Sequence, residues 1–132
     1  MSQENVETIK EAFAAHNHGD LDAMVELYDE ECVFETRNSP WQRGHTAALE
    51  GNKKNLSGYN VVPVELIDVG EKVVAVAQME GTGPVSQIPL DDRFAFVFTL
   101  MDGRIVREQA FRNRAEALEA VGLSEQDAHA DS

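Results

Sequence analysis

Residues 93–123 read RFAFVFTLMDGRIVREQAFRNRAEALEAVGL and hold two strands, the turn that joins them and a capped helix. Phe94 to Met101 is rich in aromatic and aliphatic residues, and Arg104 to Arg112 is a second strand-like run. Asp102-Gly103 suits a type I′ turn, whose central residues both need positive φ, which glycine adopts freely and aspartate tolerably. A two-residue loop sets the register, so Met101 should face Arg104, Val97 should face Glu108, Ala95 should face Ala110 and Arg93 should face Arg112. On that register one face collects Phe94, Phe96, Phe98, Leu100, Ile105, Arg107, Gln109 and Phe111. The other collects Arg93, Ala95, Val97, Thr99, Val106, Glu108, Ala110 and Arg112. The small residues of the second face leave room, and charges set among them need a partner or water, so an internal pocket is expected there. The phenylalanine face is too large to expose on a stable monomer and predicts a homodimer. A cover of helices over it would instead exchange the roles of the two faces.

Upstream, Val6, Ile9, Phe13 and His16 or Asn17 recur at helical spacing, so residues 3–17 read as an amphipathic helix ended by Gly19. Asp20 caps a second helix, with Leu21, Met24, Val25, Leu27 and Tyr28 as its buried stripe. Cys32 to Arg37 is a short strand, and Asn38 to His45, with Pro40, Trp41 and Gly44, reads as a loop. Thr46 starts a third helix reaching to about Leu56. Val61 to Val69 and Val73 to Glu80 are strands joined at Gly70-Glu71, and Pro63 marks the first as an edge strand or a bulge. Asn113 caps the last helix and Gly122 ends it. The fold class is therefore α+β: a curved, mostly antiparallel sheet wrapped by three to four helices, a cone with an internal pocket.

The chain of 132 residues is expected to be one domain over 1–123, followed by a disordered acidic tail over 124–132 that lacks any apolar residue larger than alanine. Its net charge is −13, and residues 1–35 hold ten acids against Lys10 alone. Such a surface repels phosphate backbones and anionic membranes, so neither nucleic acid nor membrane is expected as a partner. Arg37, Arg43, Lys53 and Lys54 reverse the trend locally. A single cysteine, Cys32, excludes an internal disulfide. No leader or membrane span is visible, and a cytoplasmic location is expected. No metal and no cofactor is expected: His16-Asn17-His18 sets its two rings on different faces of a helix, and there is no phosphate loop or nucleophile elbow.

The strings FAAHNHGDLDAMVELYDEECVFE, WQRGHTAALEG and LMDGRIVREQAFRNRAEALEAVGL resemble the SnoaL-like, ketosteroid isomerase-like branch of the nuclear transport factor 2-like superfamily, across nearly the whole chain to Leu123. That superfamily includes ketosteroid isomerases, polyketide cyclases and limonene epoxide hydrolases. The resemblance implies a curved sheet wrapped by helices, a deep apolar pocket and commonly a homodimer, but fold alone licenses no reaction.

The relatives' catalytic positions are mostly vacated. The isomerases' aspartate base falls at Thr36, with Glu35 one place earlier, their oxyanion-hole tyrosine at Ala12, and their protonated aspartate at Ala95 or Phe94. The cyclases' acid–base aspartate, in a pattern like Asp-Arg-Ala-Glu-Ala-Leu, falls at Asn113, which exchanges no proton near neutral pH but caps a helix well. Asp91, Asp92 and Arg93 echo the Asp-Arg-Asp set of the hydrolases only superficially.

Glu108 is the strongest surviving candidate for proton transfer, central in its strand and with Arg93 and Arg112 expected nearby to hold an oxygen or to pair with it. Glu35 is a second catalytic candidate if a bulge turns it inward. Tyr28, Trp41, His16 and Thr36 are candidate substrate-binding residues, by their aromatic surface or their position at the pocket. Two functions follow. One is a protein that binds a small hydrophobic molecule without chemistry; the other is an isomerase, cyclase or hydrolase using acid–base chemistry on an apolar cyclic, polyketide-, steroid- or terpene-like substrate.

Overall fold

The computed structural model describes residues 2–36, 39–44, 59–81 and 93–123. Two helices lead the chain, α1 (Ser2–Asn17) and α2 (Leu21–Glu26). Six strands follow: β1 (Tyr28–Thr36), β2 (Ser39–Arg43), β3 (Tyr59–Val69), β4 (Lys72–Gly81), β5 (Arg93–Met101) and β6 (Arg104–Phe111). Helix α3 (Arg114–Ala120) comes last. The helix expected over 46–56, the connection over 82–92 with Asp91 and Asp92, and the tail over 124–132 lie outside the described residues.

The strands form one sheet in the order β2-β1-β6-β5-β4-β3. All its neighbours are antiparallel except β1 and β6, which run parallel. Pro63 sits on β3, an edge strand, beside a register shift between Pro63 and Glu65, so both readings of that proline hold. Two boundaries differ from expectation. Helix α2 stops at Glu26, so Tyr28 opens β1 instead of closing a helical stripe. Residues 39–43 form the edge strand β2, where Pro40 is tolerated because an edge leaves one side of the ladder unpaired.

Helices cover both faces of the sheet. On the inner face, Ile9, Ala12 and Phe13 of α1 and Met24 and Val25 of α2 pack with Val73, Ala75, Ala77, Phe98, Leu100 and Ile105. Phe13 lies 6.0 Å from Phe98 in an edge-to-face contact and 6.2 Å from Phe96. On the outer face, Ala117 and Leu118 of α3 pack on Ile67, Val74, Ala95 and Val97, with Phe111 alongside. The phenylalanine face is therefore covered by α1 and α2, and it supplies no argument for a homodimer.

Side chains tie these layers together. Asn17, at the end of α1, donates to the Val61 carbonyl at 2.9 Å and accepts from the Val61 N–H at 2.8 Å. Arg114 of α3 grips Glu65 of β3 through Nε at 2.8 Å and a second nitrogen at 3.1 Å, a paired geometry that suits guanidinium and carboxylate. The caps form as their residue types require: Asp20 accepts from the Ala23 N–H at 3.2 Å and Asn113 from the Glu116 N–H at 2.9 Å.

The β5–β6 turn has positive φ at Asp102 (53°) and Gly103 (80°), and Met101 pairs with Arg104 as the sequence predicts. The register then changes. Leu100 pairs with Ile105, but Thr99 pairs with Arg107, so one extra residue, Val106, bulges out of β6. Beyond the bulge Phe98 faces Glu108, Phe96 faces Ala110 and Ala95 faces Phe111. Each expected pairing past Leu100 is displaced by one, which exchanges the two faces of β6. Arg107, Gln109 and Phe111 turn to the outer face, while Glu108 and Ala110 join the phenylalanines on the inner one.

Candidate functional site

The bulge at Val106 is what makes Glu108 an interior residue. On the inner face it stands between Phe98 of β5 and Phe34 of β1, its two register partners. Tyr28, turned inward at the start of β1, donates its hydroxyl to Glu108 Oε1 at 2.6 Å, the short distance of a hydrogen bond to a charged acceptor. The Tyr28 ring lies 5.4 Å from that of Phe34, and Phe96 lies 5.8 Å from Phe98. A carboxyl group is thus framed by four aromatic side chains, with Cys32 buried beside it on β1.

Access to this group is uneven along the sheet. Phe98, Leu100 and Ile105 are buried under the helices. Phe34, Phe94, Phe96, Glu108 and Ala110 remain partly exposed. The partly exposed residues of the inner face thus gather at the end of the sheet where Glu108 and Ala110 lie opposite Phe98 and Phe96.

The electrostatics follow from this enclosure. Protein atoms surround the Glu108 carboxyl even though the residue keeps some contact with solvent, and burial lifts its pKa from 4.5 to about 7, against the lowering pull of the Tyr28 hydrogen bond. Burial, reinforced by the charge and hydrogen bond of Glu108, holds the Tyr28 hydroxyl well above the ordinary phenol range. Burial also pushes the Cys32 thiol up to about 12, with Glu108 and Asp29 adding to it. Such a carboxyl changes protonation state near neutral pH, the property that general acid–base chemistry needs.

Of the candidate residues, Tyr28 and Glu108 are brought together. The arginines expected beside Glu108 are elsewhere. Arg93 is exposed and donates to Gln78 Oε1 at 3.0 Å, and Arg112 is exposed next to the cap of α3, its backbone N–H donating to Glu116 at 3.3 Å. The bulge accounts for the separation from Arg93, because it moves Glu108 to the face opposite that side chain, while Arg112 lies beyond the end of β6 at Phe111. Glu35 also points outward, where Arg107 holds it at 2.6 Å. His16 is half-buried in the last turn of α1. Thr36 ends β1, pairing with Ser39, and Trp41 lies in β2, but their side chains lie outside the described residues. Phe34 and Phe96 are the site residues that the sequence reading missed. Alternation from Cys32 to Phe34 along β1 was the available signal for the first.

The SnoaL-like domain family matches residues 9–108, and the chain belongs to that family. A crystal structure from Sinorhizobium meliloti, assigned provisionally to the polyketide cyclases, is 29% identical; the match covers 79% of this chain and 93% of that one, with a TM-score of 0.65. A provisional SnoaL-like polyketide cyclase from Jannaschia sp. CCS1 is 24% identical over 83% and 85% of the two chains, with a TM-score of 0.74. A nuclear transport factor 2-like protein of unknown function from Burkholderia pseudomallei shares 18% identity over 90% and 98%, with a TM-score of 0.72. These likenesses fit the cone-shaped fold. Among curated proteins none matches the chain in sequence. No helix among the described residues is long and apolar enough to cross a membrane.

Proposed function

We propose that the chain binds a small apolar, cyclic molecule on its inner sheet face and that Glu108 exchanges a proton with it. The observation that carries this reading is the Tyr28–Glu108 hydrogen bond at 2.6 Å, set beside the partly exposed rings of Phe34 and Phe96. A carboxyl with a pKa of about 7 is divided between acid and base near neutrality, and Tyr28 fixes which oxygen remains available. Glu108 is the proton-transfer residue, Tyr28 the positioning residue, and Phe34 and Phe96 the walls. A second reading, binding without reaction, is favoured by the vacated family positions at Thr36, Ala12, Ala95 and Asn113.

Native mass spectrometry of protein purified from its own host, wild type beside Glu108→Gln, separates the two. An apolar molecule should co-purify with both. On incubation wild type should convert it or a close analogue, with the variant slowed by about a hundredfold or more, the ordinary size of a general acid–base contribution. Equal turnover by the two proteins would remove Glu108 from the chemistry. A bound molecule that neither protein alters would leave the binding reading.

A further inference from the structure

The placement of charge around Glu108 says more about the ligand than its apolar surroundings do. Among the described residues no basic side chain of the strands or of α3 is bonded to Glu108, and Lys72 of β4 lies on the outer face opposite Thr99. Arg93, Arg107 and Arg114 are held by Gln78, Glu35 and Glu65, and Arg104 and Arg112 are exposed. The only described hydrogen-bond partner of Glu108 is the uncharged hydroxyl of Tyr28. A carboxylate taken out of water without a counter-ion is costly, and a ligand that brings a cation removes that cost. An anionic ligand would add a second negative charge to the same enclosure. The flanking Phe34 and the nearby Phe96 present aromatic rings, whose faces attract cations and whose bulk suits an apolar ring system.

We propose that the ligand class preferred at this site is an apolar cyclic ammonium ion, its charge against the Glu108 carboxylate and its rings against Phe34 and Phe96. This rests on the reading of Glu108 as the centre of a small-molecule site and narrows it. The geometry departs from the expectation from sequence, in which Arg93 or Arg112 would have held a ligand oxygen or paired with Glu108.

Three molecules of one shape test it: adamantan-1-amine, adamantan-1-ol and adamantane-1-carboxylate, titrated calorimetrically at neutral pH in 150 mM salt to screen the general surface charge. The amine should bind roughly tenfold or more tighter than the alcohol, and the carboxylate weakest, as expected for a desolvated charge pair. Glu108→Gln should abolish the preference for the amine while leaving alcohol binding. That substitution changes the net charge only from −13 to −12, so the loss reports on the site and not on the acidic surface. Tyr28→Phe keeps the carboxylate and removes its donor, so there the amine preference should persist. A wild type that binds alcohol and amine equally overturns the ammonium preference and leaves the small-molecule site standing. An amine preference that survives Glu108→Gln, or is lost in Tyr28→Phe, overturns it as well. Binding of none of the three sinks both the preference and the site.

Discussion

Replacing Glu108 by glutamine turns a titrating carboxyl into a neutral amide of nearly the same shape, and its effect on stability should depend on pH in one direction. Glu108 ionises near 4.5 in an unfolded chain and at about 7 in the folded protein. Between those values the native state holds a proton that the unfolded state has released, so wild-type stability falls as pH rises through this window and levels off above it. At about 1.36 kcal/mol per unit the full shift corresponds to about 3 kcal/mol, and screening at a partly exposed residue reduces it to about 2 kcal/mol. The glutamine variant has no such slope, and its side-chain oxygen can still accept from Tyr28. Urea denaturation of both proteins at pH 5, 6, 7 and 8 measures the difference, in which groups common to both proteins cancel. The variant should match wild type to within about 1 kcal/mol at pH 5 and exceed it by about 2 kcal/mol at pH 8. A difference that is flat with pH, or that increasingly favours wild type as pH rises, would refute the claim that burial raises this carboxyl.

Two further outcomes follow from the packing. Asn17→Ala removes both hydrogen bonds to the buried Val61 and leaves its peptide groups unpartnered, so denaturation should show a loss of about 2 kcal/mol; a loss below about 0.5 kcal/mol would mean that water replaces the amide. Cys32 is 0% exposed, with its thiol pushed up to about 12, and should resist a thiol-exchange reagent at pH 8 until urea unfolds the protein. Rapid labelling of the native protein would show the inner face opening at β1.

The composition of the Phe94 to Phe111 hairpin and its Asp102-Gly103 turn were legible because glycine and aspartate at positive φ leave few alternatives. The turn, however, sets only the rungs next to it. Ile105 and Val106 are consecutive β-branched residues, either of which can continue an apolar face, so nothing local shows that one of them is surplus. A conflict was nevertheless visible. The unbulged register placed Arg107 and Gln109 among phenylalanines, and one extra residue relieves that by turning both outward. Glu108 was identified as central for a partly mistaken reason: its predicted face was the outer one, and the bulge brought it inside. Tyr28 was expected in the pocket from its place on a helix and reaches it from a strand. The β1–β6 pairing, which aligns Phe34 with Glu108, links segments too distant in sequence for any local pattern to announce.

That same pairing orders the events of folding. β1 is next to β6 and β2 lies beyond it at the edge, so the first two strands have no place in the sheet until the last one exists. During synthesis, β3, β4 and β5 can pair successively as each emerges, since each lies beside the next. The stretch from Tyr28 to Arg43 must wait, its apolar side chains in search of cover, until the final hairpin has closed. Contacts that span most of a chain form late and slowly. Tyr28 and Glu108 meet only at that closing step, so the candidate site is among the last parts of the molecule to come into being.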